Sequence, residues 1–160
     1  MKDFDKAYTL KSDPKTGSKW KEPSTYLGAN LSKCQVPDKG WTLWSMSWNI
    51  YIPEAINTVE DKLSKSGRQL YKNTKSSIQS SFCPQLDASP VLSDDQSSYY
   101  LCSIGKFRWA VEIGCIDINP EIALISCYLI QPWCGHLDQA FCIFKYIKSH
   151  GRRKIVLDPH

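Results

Sequence analysis

The chain has 160 residues and 18.3 kDa, room for one domain, and a globule of this size buries roughly two-thirds of its unfolded surface. Hydrophobic residues make up 42% and charged residues 22%, which excludes a wholly disordered or fibrous chain. The net charge of +4 is uneven: residues 1–80 hold thirteen Lys/Arg against eight Asp/Glu, residues 81–160 seven against eight.

In chain order, the first 24 residues are polar, with Asp13-Pro14-Lys15-Thr16-Gly17 as a turn signal. From Ser24 to Cys34, Thr25, Leu27, Ala29 and Leu31 alternate on one face of a strand. Val36-Pro37-Asp38-Lys39-Gly40 supplies a turn, and Trp41–Met46 returns as the second strand of a hairpin. Ile52, Ile56, Val59 and Leu63 form the apolar stripe of a helix, with Pro53 in its first turn and Gly67 at its end. Residues 68–96 lack periodicity and read as a long loop. Three helices follow, on the stripes Tyr100/Ile104/Phe107/Val111, Ile118/Ile122/Ile125/Leu129 and Leu137/Phe141/Phe144/Lys148. Gly114, Pro132 and Gly151 stop them in turn, and Ile155-Val156-Leu157 is a short terminal strand. The fold class is α+β, with helices dominant.

The longest apolar run, Ile122–Ile130, is far short of the ~20 residues that span a bilayer. Met1–Asp5 opens no apolar signal segment, so the expectation is an intracellular protein without a membrane partner. Seven cysteines form no C-x-x-C pair and read as reduced, mostly apolar thiols. Cys134, His136 and Cys142 are the one ligand-like cluster, and they fit no standard zinc spacing. Nucleotide-binding, serine-hydrolase and zinc-protease motifs are absent. His136 and His150 read as helix-terminal groups, and Asp94-Asp95 as acids favoured at a helix start. Lys145 to Lys154 carries five cations and no acid. Such a stretch suits phosphate backbones, and equally a solvated surface.

Several blocks resemble copia-type retrotransposon reverse transcriptases, in the part that follows the polymerase palm. They are Ser24-Thr25-Tyr26-Leu27-Gly28-Ala29-Asn30-Leu31, then Met46-Ser47 and Tyr51, then Tyr100 with Ile104-Gly105-Lys106-Phe107-Arg108-Trp109. Gly114–Ile118, Gly135-His136-Leu137 and Ile143–Lys148 continue the pattern in order. The similarity runs from about Tyr8 to Asp158.

The resemblance implies a single partial reverse-transcriptase domain over 1–160. Residues 8–47 would be the palm-end strand and primer-grip-like hairpin, and 48–67 the thumb-like helix. A loop over 68–96 and three helices over 97–151 would follow, with 152–160 leading to an absent ribonuclease H domain. The family's palm aspartates, which hold magnesium, precede this segment, so the resemblance implies no catalytic residue, metal ligand or cofactor here. It implies a truncated or degenerate piece of an RNA-directed DNA polymerase, incompetent alone and at most a weak binder of RNA/DNA primer–template. Its partners would be that nucleic acid and the missing palm, fingers and ribonuclease H. Candidate contacts are Tyr26, Leu27, Gly28, Lys33, Lys39, Lys62, Lys65, Arg68 and Lys72. The alternative is a stand-alone protein–protein interaction module. Where the family pattern usually has arginine, this chain has Cys115 and Trp133. Both read as poor replacements, with Trp133 lacking a core to fill in its interhelical turn.

Overall fold

Leu27 and Gly28 break what reads as one strand. A computed structural model of the protein describes residues 24–35, 40–65, 67–71, 74–150 and 154–157. In it, β1 (Thr25–Tyr26) turns back at once into β2 (Ala29–Gln35), with Tyr26 opposite Ala29. Leu27 at φ 50° and Gly28 at φ 84° supply the left-handed pair that a two-residue hairpin turn requires. The alternation over 25–31 is therefore interrupted: Ala29 is buried, whereas Thr25 and Leu27 are exposed. The turn expected over 36–40 falls mostly on 36–39, outside the described residues.

β2 pairs antiparallel with β3 (Thr42–Ser47), with Leu31 opposite Met46 and Cys34 opposite Leu43. β4 (Lys154–Leu157) returns from the far end of the sequence and adds antiparallel to β3, with Ile155 opposite Met46. The result is an antiparallel four-stranded sheet in the order β1-β2-β3-β4. Ala29, Met46 and Ile155 pack into the helical core. The Ser45 hydroxyl donates to the Ser32 carbonyl at 3.0 Å and lies 2.9 Å from the Ser32 hydroxyl. That satisfies a buried polar group between strands.

Among the described residues, four α-helices stand beside the sheet, completing an α+β fold. The first, α1 (Tyr51–Ser64), buries Ile52, Ile56, Val59 and Leu63 as the stripe requires. It ends as a Schellman-type stop, with Gly67 at φ 68°. The Gly67 N–H donates to Ser64 O at 3.0 Å, and the Arg68 N–H to Leu63 O at 2.9 Å.

The 68–96 segment carries a short 3-10 turn, Pro84–Leu86, and is pinned rather than loose. Gln139 Nε2 donates to Ser77 O at 2.8 Å, and the Ser77 hydroxyl to Glu121 Oε1 at 2.7 Å. Lys148 donates to Leu70 O at 2.8 Å and pairs with Glu60 of α1.

The second helix, α2 (Asp94–Glu112), begins at a capping box. Ser93 Oγ accepts from the Gln96 N–H at 3.4 Å, and Gln96 Oε1 accepts from the Ser93 N–H at 3.1 Å. Asp94 and Asp95 sit in its first turn, at the positive helix end. Ser93→Ala is expected to lower stability by about 1 kcal/mol, read from the urea midpoint at an unchanged slope.

α3 (Asn119–Ser126) stops well short of Pro132; residues 127–131 form turns instead. The last helix, α4 (Cys134–His150), departs furthest from its expected stripe. It buries His136, Gln139, Ala140, Phe141, Cys142, Ile143, Phe144 and Ile147, while Leu137 and Lys148 are only half-buried. α4 touches α1, α2 and α3, so most of its circumference faces protein and a one-sided amphipathic pattern does not describe it. Its expected stop at Gly151 lies outside the described residues. No described helix is long and apolar enough to cross a membrane.

Candidate nucleic-acid interface

The first three candidate residues, Tyr26, Leu27 and Gly28, form the tip of the β1–β2 hairpin. Tyr26 and Leu27 are 60% and 52% exposed. Leucine in the left-handed region is uncommon, because its Cβ crowds the backbone at a cost of roughly 1–2 kcal/mol. Strain of this kind, held on an exposed apolar residue, points toward a functional surface. Behind the tip stands Trp109 of α2. Its indole Nε1 lies 3.9 Å from where a Gly28 Cβ would project, and the residue is 39% exposed. Trp109 joins hairpin and helix at this site. Its sequence context, within a helix, gives no sign of a place in the interface.

The cations do not all gather there. Lys33 is exposed on β2, with Nζ 5.4 Å from the centre of the Trp44 ring on β3. Lys62, in the last turn of α1, sits 3.7 Å over Tyr99 of α2. Arg68 donates to Asp138 Oδ1 at 2.8 Å and lies 5.2 Å over Phe141, so α4 engages it on two counts. Lys65 is exposed just beyond α1. Lys39 and Lys72 lie outside the described residues. Exposed pairs such as Arg68–Asp138 contribute little stability, so a phosphate could displace the carboxylate at small cost.

A groove of about 540 Å³ lies elsewhere, between the 79–88 segment and α4. Arg68, Gln79, Asp87, Gly135, Asp138 and Lys145 are among its lining residues. At its inner edge His136 is fully buried, stacked on Tyr128 at 4.2 Å and on Trp133 at 5.9 Å. His136 Nδ1 accepts from the Trp133 N–H at 3.1 Å, and Nε2 lies 3.4 Å from Pro84 O. Burial alone would raise the Asp87 carboxyl. Hydrogen bonds from Ser89 and the proximity of His136 outweigh that, and hold it below the usual carboxylate range.

Two expectations about individual residues are corrected here. Trp133 is half-buried and fills the stack against His136, so it does have packing to make. Cys115 is a buried core residue. A thiol suits that position, where an arginine would have to bury its charge. The Cys134, His136 and Cys142 cluster is otherwise occupied. Both His136 nitrogens have partners, and Cys142 Sγ accepts from Gln79 Nε2 at 3.0 Å. Among the described residues, no group of His, Cys, Asp and Glu is placed to hold a metal ion.

Compared with family models, with curated proteins and with solved structures, the chain finds no match.

Proposed function

We propose that this chain is a truncated or degenerate part of a copia-type retrotransposon reverse transcriptase. Its hairpin tip makes weak, sequence-independent contact with primer–template nucleic acid. The observation that carries the reading is the strained, exposed Leu27, set between Tyr26 and Gly28 where the family resemblance assigns the primer grip. Trp109 behind it adds an aromatic surface on which a base or sugar can rest, and Lys33, exposed on β2, offers a phosphate contact. Contact made through exposed side chains at one hairpin tip implies affinity in the non-specific range, Kd of about 10⁻⁴ to 10⁻⁶ M, weakening as salt rises.

Leu27→Asn tests this reading, because asparagine before glycine favours the same left-handed turn. The variant is expected to be more stable by about 1 kcal/mol and to bind a fluorescent primed duplex several-fold more weakly. Unchanged anisotropy titrations in Leu27→Asn, or binding that ignores salt, would count against the interface.

The purified chain is expected to incorporate no nucleotide on a primed template with magnesium or manganese. Phosphoryl transfer needs carboxylate-held metals to stabilise the attacking and leaving oxygens. Template-dependent extension above a protein-free control would contradict this.

A further inference from the structure

We propose that His136 and Asp87 form a proton-operated latch between the 84–93 segment and the start of α4. It stands independently of the nucleic-acid reading.

The bonding partners assign the ring's tautomer. Nδ1 accepts the Trp133 N–H at 3.1 Å, so it carries no proton, and Nε2–H points at Pro84 O, 3.4 Å away. In this neutral form His136 holds both sides of the junction. It ties Trp133, the residue before α4, and Pro84, in the 3-10 turn of the facing segment. The same junction is closed by the Cys134 N–H donating to Pro90 O at 2.9 Å and the Gly135 N–H donating to Ser89 Oγ at 2.9 Å. Val91 bridges Trp133 across it.

A second arrangement is prepared beside the first. Asp87 Oδ2 is buried without a hydrogen-bond partner and lies 3.9 Å from His136 Nε2, within reach of a small ring movement. An orphaned buried carboxylate oxygen is costly, and a cationic imidazole is the donor that would satisfy it. When a solvent proton is added at Nδ1, that nitrogen becomes a donor facing the Trp133 donor, and their bond must break. The Nε2–H can then turn from Pro84 O to Asp87 Oδ2. The proton therefore exchanges a bond to Trp133 for an ion pair with Asp87.

Asp87 is the charge that lies against the ring, 3.9 Å from Nε2. From the segment after α3 comes the Tyr128 ring, and from the 79–88 segment the edge of Phe82, 6.3 Å away. On α4 itself, Cys134 and Asp138 flank the histidine, and the Asp138 carboxylate is turned to Arg68. Gly135 fixes the geometry. A Cβ there would come within 2.2 Å of Asp87 Oδ2, so only glycine lets the carboxylate lie on the helix start. Asp87 and Gly135 both line the 540 Å³ groove, so the exchange alters its wall.

Nitrogen-15 NMR of the imidazoles and amides, on the full chain, tests the latch. At neutral pH, His136 is expected to show a protonated Nε2 and a bare Nδ1. Acidification should protonate the ring while the protein stays folded. The protection of the Trp133 N–H, corrected for the intrinsic slowing of base-catalysed exchange in acid, should then fall at least about tenfold. In Asp87→Asn, which removes the charge partner, the same loss of protection should need about tenfold more acid. An Nδ1–H tautomer at neutral pH would overturn the proposal. So would a ring that stays neutral until global unfolding, or an Asp87→Asn response at the same pH as wild type. Should Asp87→Asn fail to fold, the wild-type titration decides alone.

Discussion

Phe144→Ala is expected to lower folding stability by about 3–5 kcal/mol, the cost of emptying a buried aromatic site. Phe144 is 1% exposed on α4 and its ring centre lies 4.3 Å from that of Phe107 on α2. Removing it deletes both its own buried area and the face against which Phe107 rests. Since whole domains are stable by only about 5–15 kcal/mol, the variant should be marginal or unfolded at room temperature. Leu86, 79% exposed, is the matched control, and Leu86→Ala should stay within about 0.5 kcal/mol of wild type. Urea unfolding followed by far-UV circular dichroism measures both. A Phe144→Ala loss below 1 kcal/mol would mean that α4 is not the centre of the core.

Gly114→Ala should be nearly as damaging, for a different reason. Gly114 follows α2 at φ 131°, and a Cβ there would come within 2.6 Å of the Trp48 ring and 2.8 Å of Ile155 Cδ1. The backbone conformation and the packing both reject a methyl group. Overpacking costs about 1–3 kcal/mol, and a disallowed φ roughly 1–2 more, so a loss of about 3 kcal/mol is expected. Gly67→Ala separates the two causes, because Gly67 also has a positive φ, 68°, but has open space where the Cβ would go. It should lose only about 1 kcal/mol by the same chevron or equilibrium measurement. Equal losses at Gly67 and Gly114 would remove the steric account of how β4 and Trp48 close over the end of α2.

What could be read from the sequence follows the range of the interactions that decide each feature. α1 was legible because its stripe, Pro53 and Gly67 are all local signals. The α2 start was legible only in part: Asp94 and Asp95 read as the end of the 68–96 loop, just before a helix, whereas they occupy the helix's first turn behind the Ser93 cap. The break at Leu27 was not, since alternation continues through Leu27 and a leucine gives no warning of a positive φ. α4 misled for want of tertiary information. Its buried residues cover most of its circumference, because three other helices surround it, and no single period encodes that.

The site divides in the same way. Tyr26, Leu27 and Gly28 do share an exposed tip, but Trp109 reaches it across 81 positions of sequence, counting from Gly28. No local pattern announces such a contact. Likewise, Tyr99 engages Lys62, and Asp138 and Phe141 engage Arg68, through contacts that no local pattern encodes. His136 and Asp87 lie 49 positions apart and meet only through the 84–93 segment.

Amide and indole chemical-shift mapping, with a primed RNA/DNA duplex titrated into the full chain at low salt, addresses the proposed interface most directly. The expected result is progressive, salt-reversible shifts at Tyr26, Leu27, Gly28 and Lys33, together with the Trp109 indole. Shifts confined to the Asp87–Gly135 groove, or no shifts at duplex concentrations near 1 mM, well above the non-specific range, would contradict it.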